Sequence, residues 1–137
     1  CRAKDKDELL KMLCSYLEIG GYVTRGFEKS VFEREASTST DIGKGFAVPH
    51  GLSKYVNRSV AAFASLEEPI YWSKGAEPVD IVFLLAFDLD EDESVRSEII
   101  DFYKSIVNCM DNESKCRHLR SLKDKDELKE LLKNWHK

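Results

Sequence analysis

A chain of 137 residues, 42% hydrophobic and 34% charged with three prolines and seven glycines, has the size and balance of one folded domain, which excludes a disordered or fibrous protein. Its formal charge of -4 argues against a phosphate-backbone surface, which needs clustered Lys and Arg, so no direct nucleic-acid contact is expected. The longest apolar stretch, Val79 to Phe87, is broken by Asp80 and falls far short of the roughly 20 residues of a membrane helix, so no membrane insertion is expected.

The first predicted element is a helix from about Asp5 to Ile19, with Leu9, Leu10, Met12, Leu13, Tyr16 and Leu17 at three- and four-residue spacing and a stop at Gly20-Gly21. Asp5 followed by Glu8 fits an N-terminal cap, and the same hexamer, Lys-Asp-Lys-Asp-Glu-Leu, recurs at Lys123 to Leu128, read as a second helix start. A second helix is expected from about Phe27 to Ala36; Phe27, Val31 and Arg34 fall at i, i+4 and i+7, which puts an arginine on the line of the buried face. Ser37 to Gly45 reads as a loop, followed by a short apolar piece, Phe46 to Val48, that runs into Pro49-His50-Gly51.

Strands are predicted at Ser59 to Leu66, more weakly at Ile70 to Trp72, and over Ile81 to Phe87, whose unbroken apolar run fits a central strand covered on both faces. The acidic segment Asp88, Asp90, Glu91, Asp92, Glu93 leads into a helix from about Ser94 to Asn108 with Val95, Ile99, Phe102 and Ile106 on one stripe; short helices at about Glu113 to Leu119 and Asp126 to Trp135 complete the prediction. The expected fold class is α/β: a single-domain layered sandwich over 1–137, with a mixed central sheet flanked by helices. Four cysteines (Cys1, Cys14, Cys109, Cys116) without a CxxC pair imply reduced thiols and a cytoplasmic location, and the start at Cys1 rather than Met implies a piece of a longer chain.

The chemistry is expected at Pro49-His50-Gly51. Proline fixes the backbone before the histidine, and the glycines of Ile42-Gly43-Lys44-Gly45 and Gly51 let main-chain N–H groups approach an anion. A neutral imidazole is a good nucleophile near pH 7, and the same residues also fit a structural or merely exposed histidine. Cys116-Arg117-His118 lacks a second pair of ligands, His136 lies beside Trp135 near the chain end, and the acidic segment lacks the glycine and ligand spacing of a calcium loop, so no metal site is expected.

The segment Arg34-Glu35-Ala36-Ser37-Thr38-Ser39-Thr40-Asp41-Ile42-Gly43-Lys44-Gly45-Phe46-Ala47-Val48-Pro49-His50-Gly51 closely resembles, without insertion, the active-site signature of the fructose/mannitol-type enzyme IIA domains of the bacterial sugar phosphotransferase system. The resemblance implies that His50 accepts a phosphoryl group, with Arg34 beside it. It implies phospho-HPr as donor, and an enzyme IIB domain or attached regulatory domains as recipient. A guanidinium offers a planar fork of donors to phosphate oxygens; Arg34 could equally pair with Glu35 or another acid. The hydroxyls of Thr38, Ser39 and Thr40 and the N–H groups around Gly43, Gly45 and Gly51 are further candidate phosphate ligands. Transfer of this kind rests on positioning and charge neutralisation and requires neither metal nor cofactor.

The chain departs from the family where its carriers usually place a second histidine at the start of the helix after the buried strand; the matching residue is Arg96. Arg96 reads either as solvated or as a fixed positive charge near the phosphoryl group that holds it more tightly. Similar domains occur in transcription regulators that carry phosphotransferase regulation domains. Three readings follow: a phosphorylation sensor within such a regulator, a transport carrier, and an inactive protein-interaction module.

Overall fold

The computed structural model describes residues 3–73, 77–87, 93–114 and 116–117, and the chain divides into two compact units, Cys1–Asp90 and Glu91–Lys137. The first unit opens with α1 (Lys6–Ile19), capped as its sequence requires: the Asp5 carboxylate accepts from the Glu8 N–H at 2.9 Å. The helix ends where the Gly20 N–H reaches the Tyr16 carbonyl and Gly21 takes φ +79°. Leu9, Leu10, Cys14 and Leu17 form its buried face. Met12 and Tyr16, which share the apolar periodicity, lie beyond the edge of that arc and are exposed.

Helix α2 (Phe27–Ser37) buries Phe27, Ser30, Val31 and Glu35. The expected buried line through Arg34 is thus completed by Glu35. Arg34 stays half-exposed because its long side chain reaches past the helix end, where Nη1 donates to the Thr38 carbonyl at 2.8 Å.

The predicted loop Ser37 to Gly45 contains a strand, β1 (Asp41–Gly43), which pairs antiparallel with β2 (Phe46–Ala47). The turn between them is built from three residues of positive φ, Gly43 (+97°), Lys44 (+53°) and Gly45 (+84°). So short and largely exposed a strand carries no alternating apolar signal. After a 3-10 turn at Ser53–Tyr55, β3 runs over Val60–Ile70, absorbing the start of the weak strand expected at Ile70 to Trp72. Its register breaks between Ser65 and Ile70, and Glu67, Glu68 and Pro69 within that break are exposed. Strand β4 (Val79–Ala86) is almost wholly buried. The sheet order is β1-β2-β4-β3, with β4 parallel to β2 and antiparallel to β3, so the sheet is mixed. One core cluster joins α1, α2 and the sheet through residues that include Leu10, Leu17, Phe27, Val31, Val82 and Leu84.

In the second unit α3 covers Glu93–Met110 and buries Phe102, Ile106 and Cys109. Residues 113–114 and 116–117 are helical, in line with the helix expected from Glu113. The second copy of the hexamer, the helix expected from Asp126 to Trp135, His118, His136 and the acids Asp88, Asp90, Glu91 and Asp92 lie outside the described residues. No helix among the described residues is long and apolar enough to cross a membrane. Cys14, Cys109 and Cys116 are buried thiols.

Candidate functional site

The ladder between β2 and β4 continues past the end of β2. Phe46 pairs with Ile81 and Ala47 with Val82, and His50 meets Leu85 in the same unbroken parallel register. The Leu85 N–H donates to the Pro49 carbonyl at 2.8 Å, so the proline, which has no N–H of its own, still contributes to the ladder. His50 therefore stands at the carboxyl ends of two parallel strands, the position where open α/β sheets place ligands.

The half-buried imidazole has its Nδ1 3.2 Å from the Val48 carbonyl oxygen. A carbonyl only accepts, so this contact assigns the proton to Nδ1 and leaves the Nε2 lone pair free. The backbone carrying the ring is held on both sides by α2. Downstream, the Leu52 N–H donates to the Ser30 hydroxyl at 3.0 Å, and that hydroxyl donates to the Phe27 carbonyl at 2.7 Å. Gly51 lies so close to α2 that an added Cβ would fall 2.5 Å from Phe27 Cε2 and 2.7 Å from Ser30 Oγ. Upstream, the Val48 N–H donates to the Thr40 carbonyl at 3.0 Å. Thr40 in turn donates to buried Glu35, with its hydroxyl to Oε1 and its N–H to Oε2 at 3.4 Å, while Lys6 Nζ lies 3.9 Å from Oε2.

Of the anticipated phosphate ligands, Gly51 directly follows His50. The antiparallel run from Asp41, opposite Ala47, through Thr40, opposite Val48, carries Ser39 and Thr38 towards the level of Pro49 and His50; Arg34 is bound to the Thr38 carbonyl. Two hydroxyls have other duties. That of Thr40 goes to Glu35, and that of Ser39 goes to Asp41, which also accepts from the Ser73 hydroxyl at 3.1 Å. Gly43 and Gly45 are a correction to the sequence reading. The Gly45 carbonyl accepts from the Asp80 and Ile81 N–H groups, whereas His50 pairs with Leu85, four residues further along β4. At ~3.3 Å per residue that is about 13 Å, which removes both glycines from the reach of a group on His50. Their positive φ values serve the hairpin turn instead.

Ser30 is not revealed by the sequence as part of this site; Glu35 stands in the signature segment, but its contact with Thr40 is not foreseen there. Arg96 lies in α3, and its side chain falls outside the described residues. No metal-binding group of three His, Cys, Asp or Glu side chains occurs among the described residues, and the Cys116 thiol donates to the Cys109 carbonyl at 3.0 Å.

Residues 1–135 match the family described as phosphoenolpyruvate-dependent sugar phosphotransferase system, EIIA 2. The chain is 34% identical to the transcriptional regulator ManR of Bacillus subtilis over 97 residues, covering 71% of this chain and 14% of the regulator. It is 30% identical to the mannitol-specific phosphotransferase enzyme IIA component of Halalkalibacterium halodurans over 109 residues, covering 69% of this chain and 75% of that protein. The crystal structure of IIA mannitol from Escherichia coli superposes with a TM-score of 0.78 at 26% identity, covering 96% of this chain and 92% of that one. The chain spans 13–16% of the length of the longer curated relatives it matches.

Proposed function

The chain belongs to the EIIA 2 family of the phosphoenolpyruvate-dependent sugar phosphotransferase system, and from that premise we propose that His50 is the residue that takes up the phosphoryl group, with phospho-HPr as donor. The observation that carries this reading is the Nδ1 contact to the Val48 carbonyl at the carboxyl ends of β2 and β4. It presents Nε2 as the nucleophile. Nε2 forms a bond to phosphorus while the donor's N–P bond breaks, and the donor imidazole leaves with the electron pair. The Val48 carbonyl dipole faces the positive charge that develops on the ring. The transfer is loose and in-line, so positioning and neutralisation are the protein's main contributions. Arg34 has five N–H donors; the one held by Thr38 fixes the guanidinium and the rest remain for phosphoryl oxygens.

The reading favoured for the whole protein is a regulator in which phosphorylation of His50 reports sugar flux to attached regulatory domains, supported by the similarity to ManR. The similarity to a mannitol-specific enzyme IIA component supports a second reading, a carrier that passes the group to a cysteine of an enzyme IIB domain. Incubation with phosphoenolpyruvate, enzyme I and HPr, followed by intact-mass analysis, tests the shared premise. The expected result is one phosphoryl group on the wild-type chain and none on His50→Ala. An unmodified wild type overturns it and leaves the interaction-module reading; an adduct that survives in His50→Ala overturns His50 as the acceptor.

A further inference from the structure

Glu35 is buried, with a side-chain relative exposure of 3%, and is not adjacent to His50 in sequence, yet a continuous series of contacts links them. Its carboxyl group accepts both from the Thr40 hydroxyl and from the Thr40 N–H. The carbonyl of the same threonine accepts from the Val48 N–H, and the Val48 carbonyl meets His50 Nδ1. Each step fixes the next. With Thr40 pinned to α2, the Val48 N–H bond fixes the approach of the segment from β2 into Pro49. That segment in turn sets where the Val48 carbonyl points.

We propose that Glu35 is a positioning residue for His50: by gripping Thr40 at two atoms it holds the Val48 carbonyl where it keeps the proton on Nδ1 and the lone pair on Nε2. The inference rests on the reading of His50 as phosphoryl acceptor only for its effect on rate. The tautomer it sets is a property of the unphosphorylated chain. Lys6, on α1, is a secondary support, since its Nζ lies 3.9 Å from one carboxyl oxygen and 5.8 Å from the centre of the Trp72 ring.

The chemistry of the contact distinguishes between substitutions. Glu35→Gln keeps the length of the side chain. Its oxygen accepts from the Thr40 N–H, while its NH2 donates to the Thr40 hydroxyl, which rotates to become the acceptor. Glu35→Ala removes both contacts. A purely structural role for a buried side chain would not sort the two by their effect on a ring that neither touches.

The test uses the 137-residue chain. Nitrogen chemical shifts of the His50 ring, recorded at a pH where it is neutral, read the tautomer directly. The rate of phosphoryl uptake at varied phospho-HPr concentration separates kcat from KM. Expected for Glu35→Ala is a mixed tautomer, a kcat lower by about 10- to 100-fold, as a misplacement on the order of 1 Å produces, and an unchanged KM for the donor. Glu35→Gln is expected to keep the Nδ1–H form and a kcat within about threefold of wild type. Val31→Ala, a core change on the same helix, controls for lost stability and is expected to leave the tautomer alone. An Nδ1–H ring in Glu35→Ala, or a mixed ring in Val31→Ala at equal stability, overturns the inference. If the wild type takes up no phosphoryl group, the reading of His50 fails while the ring shifts still decide the role of Glu35.

Discussion

At Gly51 there is no space for a side chain on the face turned to α2: a Cβ there would meet the Phe27 ring at 2.5 and 2.8 Å and the Ser30 hydroxyl at 2.7 Å. Either the helix or the turn must then move. Gly51→Ala is expected to lower stability by about 1–3 kcal/mol, the ordinary cost of overpacking, measurable as a reduced urea midpoint with unchanged slope. An unaltered midpoint would show that the turn relaxes freely, which the Ser30–Leu52 hydrogen bond argues against. The sequence made Pro49, His50 and Gly51 legible because they form one linear motif. The contacts of Ser30 to Leu52 and of Glu35 to Thr40 were not legible, because they depend on how α2 lies against the strands. Gly43 and Gly45 were legible as glycines that a backbone needs, but the need is the turn's positive φ rather than an anion's approach.

Among the elements, α1 and β4 follow directly from pattern: a capped 3.6-residue periodicity for one, an unbroken apolar run for the other. β1 did not, since an edge strand of three residues buries too little to leave a periodic trace. The inward face of α1 carries a titratable group with a measurable consequence. Burial, with the negative charges of Glu28 and Glu18 adding to it, pushes the Cys14 thiol from 9.0 up to about 12. Below pH about 9 the folded and unfolded chains both keep the proton. Between about 9 and about 12 only the unfolded chain releases it, so Cys14 makes stability fall as pH rises, by at most about 1.4 kcal/mol per pH unit. Cys14→Ala leaves a small cavity but removes that slope. The stability advantage of wild type over Cys14→Ala is therefore expected to shrink between pH about 8 and about 10.5, read from urea midpoints of both proteins. A constant difference would mean that the thiol ionises alike in both states.

On the scale of the whole molecule, a carrier and a sensor make opposite demands on one phosphohistidine. A carrier must empty as fast as transport turns over, and with typical enzyme turnover near 10 s⁻¹ the group must leave within about 0.1 s of meeting its recipient. A sensor must hold the group long enough for attached domains to respond. The chain is similar both to a regulator, of which it spans 14%, and to a mannitol-specific component, of which it spans 75%, so similarity alone does not choose between these demands. With donor removed and an enzyme IIB domain added, the sensor reading expects phosphoryl on wild-type His50 to outlast about 0.1 s by at least a hundredfold, followed by rapid-quench sampling. Complete transfer to the enzyme IIB cysteine within about 0.1 s would instead establish the carrier reading.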